Sequence, residues 1–169
     1  MITLAALFSA FSVVSLYFAS VWPTGQLGFA AFSSLFVAAA IIEMGIAPGV
    51  YVFIVSAALA MLILPDRAAP LLYILFFGYY PVIKNLSERV KRRIIQWVIK
   101  LAIFNAALTV IWFFVWELFF SFSAYLPGIL ILYLGGNAVF ILFDYGYSKL
   151  LSYYISHISG FTGGRKRPK

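Results

Sequence analysis

The sequence predicts an all-α integral membrane protein, a six-transmembrane-helix bundle with both termini in the cytoplasm. Three observations carry this expectation. The 169 residues are 64% hydrophobic and 10% charged, whereas a soluble domain holds roughly 45–50% apolar and about 25% charged residues; mean hydropathy is +1.03. The apolar residues fall into long runs cut by Pro/Gly turns. Positive charge collects in two places: Lys84, Arg89, Lys91, Arg92, Arg93 and Lys100, then Lys149 with Arg165, Lys166, Arg167 and Lys169.

About 20 apolar residues cross a bilayer core. Met1–Val21 is uncharged and as long as a full span, and it lacks the basic n-region of a cleaved signal, so it is expected to stay as the first helix. Pro23-Thr24-Gly25 ends it. Gly28–Ile46 and Gly49–Leu64 follow, separated by Ala47-Pro48-Gly49, and Pro65-Asp66-Arg67 precedes the fourth run, Ala68–Val82. Beyond the first basic segment lie Ile94–Phe120 and, after Leu126-Pro127-Gly128, Gly128–Tyr147. Residues 1–157 thus read as one six-helix domain and 158–169 as a basic tail. Strands are not expected, because no apolar/polar alternation appears and an open sheet cannot sit in lipid.

Loops rich in Lys and Arg stay in the cytoplasm. With six spans, the connection after the fourth and the C-terminus share a side, and both are basic. The N-terminus joins them there, and Trp22–Leu27, Pro65–Ala68 and Ser121–Pro127 face outside. The net charge of +7 would suggest nucleic acid in a soluble protein; beside apolar spans it points to anionic lipid headgroups. With no Cys, disulfides and thiolate metal sites are excluded.

Asn85-Leu86-Ser87-Glu88 has the pattern of a capping box, with Asn in place of the usual Ser or Thr. Leu86, Val90, Ile94 and Trp97 then recur at helical spacing opposite the basic residues, which predicts a short interfacial helix over 84–100 running into the fifth span. Arg89, Arg92 and Arg93 are its candidate partner contacts; anchoring to lipid is the plainer role for the same charges.

A charge at mid-bilayer costs at least ~2.5–3.5 kcal/mol, so ionisable groups inside the spans are functional candidates by default. Lys100 and Asp144 fall near the inner boundary, where they either pair or snorkel, and Glu43 lies at the inner end of the second span. On the fifth span Asn105, Thr109, Trp112 and Trp116 share one face, with Glu117 beside the last. On the sixth, Tyr133 and Asn137 stack one turn apart, and Gly135-Gly136 admits a close neighbour. These two stripes would suit a planar polar molecule, stacked on the rings and oriented by the amides and the carboxylate. The competing reading is structural: aromatics gather at membrane interfaces, and Asn hydrogen-bonds between helices.

No catalytic constellation is present. His157 is alone, so neither a His-based metal site nor a Ser/His pair assembles, and the carboxylates are scattered. Gly163-Gly164 is a flexible linker rather than a phosphate loop, since no strand precedes it. The chain is not expected to be an enzyme or to hold a cofactor or metal.

Small residues one turn apart let helix backbones touch. Such steps occur at Ala6 and Ala10, at Ala30, Ser34 and Ala38, and at Ala102 and Ala106. The size, the six inferred helices, the cytoplasmic ends and the opening Ala5-Ala6-Leu7-Phe8-Ser9-Ala10 resemble the substrate-binding S components of energy-coupling-factor transporters. In that family an Ala-x-x-x-Ala motif on the first helix contacts the transmembrane coupling subunit, and Ala6 and Ala10 match it. The resemblance implies uptake of a vitamin-like small molecule through a pocket open to the outside, powered by partner ATPases. It makes Trp22–Leu27, with Gln26, a pocket loop, and Asn105, Thr109, Trp112, Trp116, Glu117, Tyr133 and Asn137 the pocket lining. The alternative is a non-transporting scaffold, similar in size to rod-shape membrane proteins, that recruits a partner through its basic face. A channel fits less well, because no charged stripe crosses the full depth and the halves do not repeat.

Overall fold

The computed structural model describes the backbone of residues 2–119 and 126–157, and their side chains except Pro23 and residues 112–132. The described chain is helical. Its elements are α1 (Ile2–Val21), a 3-10 turn (Pro23–Gly25), α2 (Gln26–Met44), α3 (Ile46–Ile63), α4 (Ala68–Leu72), a π-helical turn (Tyr73–Phe77), α5 (Tyr80–Ser87), α6 (Arg93–Phe119) and α7 (Leu126–His157). Among the described residues, four helical stretches are long and apolar enough to cross a membrane: Ile2–Val21, Gln26–Met44, Ile46–Ile63 and Arg93–Ile111.

Breaks fall where backbone chemistry forces them, and this corrects two of the expected turns. The chain turns at Gly45, whose φ of +102° is open to glycine and strained for other residues. Pro48 lies inside the first turn of α3, where a missing N–H removes no helical bond. Pro127 occupies the same place in α7, so Leu126-Pro127-Gly128 starts that helix instead of preceding it.

The fourth run is also corrected. Ala68–Val82 is not one regular helix; helical structure runs from Ala68 to Ser87 in three pieces. The Gly78 N–H reaches back five residues to the Tyr73 carbonyl at 2.7 Å, widening the coil, and Gly78-Tyr79 form a turn. Pro81 supplies the cause, since it has no N–H for the Phe77 carbonyl.

The expected helix capped at Asn85 does not form. Asn85 lies within the last turn of α5, which ends at Ser87, residues 88–91 are turn and bend, and the next helix starts at Arg93. Arg89, Arg92 and Arg93 would be like charges three and four residues apart on one helix face, which opposes the continuous helix. Instead the Arg89 and Val90 amides donate to Leu86 O and Ser87 O at 3.3 and 3.0 Å.

The chain divides into two compact units where the sequence reads as one domain: Met1–Asn85 with the segment from Leu151 onward, and Leu86–Leu150. In the first unit α1, α2 and α3 pack on one another, and the α4 and π-helical segments pack on them. Small residues set the approach: Ala30, Ser33, Ser34, Ala38 and Ala40 of α2 are buried, together with Leu16, Val52, Ala60 and Leu64. Hydroxyls stitch the helices, as Ser12 Oγ donates to Ser33 O at 3.1 Å and Ser15 Oγ to Phe29 O at 2.9 Å. Ser56 spends its proton on Val52 O at 2.7 Å, so the buried Tyr73 hydroxyl donates to it at 2.8 Å. At one end Tyr154 donates to Glu43 at 3.3 Å.

Gly49 marks the tightest approach of α2 and α3, because a Cβ there would collide with the branched side chain of Ile41. Gly49→Ala is expected to destabilise the protein by about 1–3 kcal/mol, read as a lowered thermal midpoint in detergent. An unchanged midpoint would show that α2 and α3 do not meet there.

Candidate functional site: a polar seam between two helices

The second unit is built on α6 and the part of α7 up to Leu150, and its polar residues meet in an antiparallel ladder. At one end Lys100 Nζ donates to both carboxylate oxygens of Asp144, at 3.2 and 3.1 Å. Phe104 and Phe140 stack next, with ring centroids 4.6 Å apart and planes within 12°. Then Asn105 and Asn137 exchange amide hydrogen bonds, Nδ2 to Oδ1, at 3.0 and 3.1 Å. Last, Thr109 Oγ1 and the Tyr133 hydroxyl share a bond of 2.7 Å. Thr109 has already given its proton to Asn105 O at 2.8 Å, so Tyr133 is the donor.

The spacing follows from the helix itself. Lys100, Phe104, Asn105 and Thr109 lie on one stripe of α6, and Tyr133, Asn137, Phe140 and Asp144 form the matching stripe of α7. Gly136 brings the backbones together: a Cβ there would stand 3.3 Å from Leu108 Cδ2 and 3.6 Å from Phe104 Cζ. The neighbouring Gly135 meets nothing within 4 Å. Of the two adjacent glycines, one serves the contact.

Both amides use all four of their N–H bonds. The second N–H of Asn105 goes to Leu101 O at 2.8 Å, and that of Asn137 to Tyr133 O at 2.7 Å. The stripes assigned by sequence to a ligand are therefore bonded to each other. What they hold is the hairpin. Any ligand reaching them exchanges bonds that already exist, which costs more than filling a vacancy.

The ion pair has a wider setting. Lys100 and Asp144 are 6% and 4% exposed. Glu88 approaches the same ammonium at 3.7 Å, and the Trp97 ring lies 5.6 Å from it. Of the two fates expected for Lys100, pairing and snorkelling, the structure has the pair.

Other site residues fall elsewhere. Gln26 opens α2, and its Nε2 donates to Asp66 Oδ2 at 2.9 Å, within the first unit. Asp66 also accepts from the Ala68 amide at 3.1 Å, while its own amide donates to Ser20 Oγ at 3.2 Å. The connection Trp22–Leu27, expected as a pocket loop, is mostly the 3-10 turn and the start of α2. Ala6 and Ala10 are exposed, as are Ala102 and Ala106, whereas Ala30, Ser34 and Ala38 are buried. Arg89, Arg92 and Arg93 are exposed. Trp112, Trp116 and Glu117 belong to α6, with side chains outside the described residues. Sequence reasoning missed the partnership of Ser56 with Tyr73 and of Gln26 with Asp66, since no periodicity links positions on different elements.

Two substitutions separate the ion pair from the amides. Lys100→Met takes the ammonium away from a buried carboxylate and is expected to cost about 3–5 kcal/mol, most of it recovered in Lys100→Met/Asp144→Leu. Asn137→Ala is expected to cost about 0.6–1.7 kcal/mol, the range for hydrogen bonds between helices in a bilayer. Denaturation midpoints of the three variants in detergent check both, and a double variant no better than the single would show that the pair is not coupled.

Comparison with protein-family models, with curated proteins and with solved structures finds no match to this chain.

Proposed function

We propose that this protein is a membrane-embedded substrate-binding subunit for uptake of a vitamin-like small molecule, coupled to a partner ATPase module. In this reading it crosses the bilayer six times with both termini in the cytoplasm. The bulged run from Ala68 to Ser87 and helix α7 supply the two crossings beyond the four long apolar helices.

One observation carries the reading. The buried side of α1 is Phe8, Ser9, Ser12, Ser15, Leu16 and Ala19, while Ala6 and Ala10 are exposed on the opposite side. A helix whose small residues served its own bundle would bury them, as α2 does. The exposed pair is available to a coupling subunit, the contact that the resemblance to S components implies.

The seam narrows the substrate. A ligand that inserts between Asn105 and Asn137 breaks two reciprocal amide bonds, and a molecule with adjacent donor and acceptor, such as a cis-amide or ureide edge, restores both. Trp112, Trp116 and Glu117 are the expected walls of that pocket.

Purified protein is expected to gain thermal stability from one member of a vitamin panel, by RT ln(1 + [L]/Kd), or about 2.7 kcal/mol at a hundredfold excess over Kd. No shift across the panel would overturn the binding function. Ala6→Trp/Ala10→Trp is expected to keep that shift and to lose co-purification of the coupling subunit. A reporter fused after Lys169 is expected to be active in the cytoplasm, and activity outside the cell would overturn the orientation.

The exposure of Arg89, Arg92 and Arg93 favours a second reading, a scaffold that recruits a cytoplasmic partner through these cations. There, neutralising Arg89, Lys91, Arg92 and Arg93 abolishes partner co-purification, while Trp112→Ala and Asn137→Ala leave that co-purification unchanged.

A further inference from the structure

The six cations between Lys84 and Lys100 do not form one group. Lys84 is 2% exposed, and Lys100 is clamped by Asp144. Arg89, Lys91, Arg92 and Arg93 are exposed, on residues 88–92 and the first position of α6. Only this quartet presents charge to the surroundings.

The segment that carries them is fixed. Its turn is closed by the Arg89 and Val90 amide bonds, the Gln96 amide donates to Arg92 O at 3.2 Å, and Gln96 Nε2 donates to Val90 O at 2.7 Å. Cations on such a segment lose little backbone freedom on meeting an anion. Glu88 is the one acid within it, and it stands 3.7 Å from the Lys100 ammonium that Asp144 also holds.

Apolar exposure begins where the cations end. Ile94 is 80% and Val98 60% exposed, with Ile95 and Trp97 also exposed in the same turns. In water such a group beside four cations is costly. At the edge of a bilayer the two sets are complementary: guanidinium forks meet phosphate oxygens, and the apolar side chains one turn along enter the acyl region.

We propose that Arg89, Lys91, Arg92 and Arg93, together with Ile94, Trp97 and Val98, form a docking site for the headgroup and first acyl carbons of an anionic phospholipid. A lipid is favoured over an acidic protein because the apolar residues continue without a break into Arg93–Ile111, a helix apolar enough to cross a membrane. A soluble partner on the cations would leave Ile94 and Val98 uncovered. The inference does not depend on the substrate-binding reading and turns the plain charge attraction of a basic segment into a site with named members.

The test uses the full chain in neutral detergent, with thermal midpoints measured against added phosphatidylglycerol, phosphatidylcholine and inorganic phosphate. Phosphatidylglycerol alone is expected to raise the midpoint, and the shift is expected to shrink in about 0.5 M salt. Each exposed cation near an anionic surface is worth about fivefold, so Arg92→Gln/Arg93→Gln is expected to raise the half-saturating phosphatidylglycerol concentration roughly thirtyfold. Arg67→Gln should leave it unchanged, and Arg92→Lys/Arg93→Lys, which keeps the charge and loses the forks, should fall between wild type and the glutamine pair. Ile94→Ser/Val98→Ser should weaken binding while keeping its salt dependence. Equal shifts with phosphatidylcholine, reproduction of the shift by inorganic phosphate, or indifference to salt overturns the proposal, and the last needs no variant. Wild-type affinity in Arg92→Gln/Arg93→Gln, or capture of an acidic soluble protein with no lipid response, overturns it as well.

Discussion

Lipid offers no hydrogen bonds, so each polar group placed among apolar helices is satisfied by the protein or not at all. The α6–α7 hairpin is organised by that constraint. Its Lys, Asp, Asn, Thr and Tyr side chains answer one another across a single interface, with an aromatic stack between the ionic and the amide rungs. The ion pair dominates. A lone carboxylate or ammonium in hydrocarbon is far costlier than a lone amide, so the Lys100–Asp144 contact sets the register and the weaker rungs follow it. The first unit meets the same constraint with hydroxyls, and Ser12, Ser15, Ser33 and Ser56 close on carbonyls of their own or adjacent helices.

Much of this was legible in the sequence. Long apolar runs mark α1, α2, α3 and α6, because few other residues sit comfortably in a bilayer-length helix. The two stripes were legible as faces, since positions three and four apart share a side whatever they touch. Their mutual pairing was not, because periodicity says which way a residue faces and nothing of what stands opposite. The misplaced turns have a common origin. Pro48 and Pro127 look like breakers in a linear reading, yet in a first turn proline removes nothing, whereas Gly45 attracts no notice until its backbone angle is known. The Asn85 cap failed for a related reason: a local capping pattern lost to the repulsion among the cations that follow it.

Polar residues in a membrane helix serve either a ligand or a neighbouring helix, and the two uses share one vocabulary of Asn, Thr and Tyr. Reciprocity tells them apart. When every amide proton already has an acceptor at 2.7–3.1 Å, the group holds the fold before it holds anything else. A site that binds through such groups works by exchange, and its selectivity comes from how faithfully the incoming molecule reproduces the bonds it displaces.

The antiparallel ladder also limits how this half of the chain can move. Sliding α7 along α6 by one helical turn, about 5.4 Å, would set Phe140 or Ser148 against the Lys100 ammonium and part it from Asp144. Intermediate offsets are worse, because no rung is then aligned. Sliding is therefore closed to this hairpin; a change that parts the amide rungs opens it about the Lys100–Asp144 contact, which keeps the register at the other end.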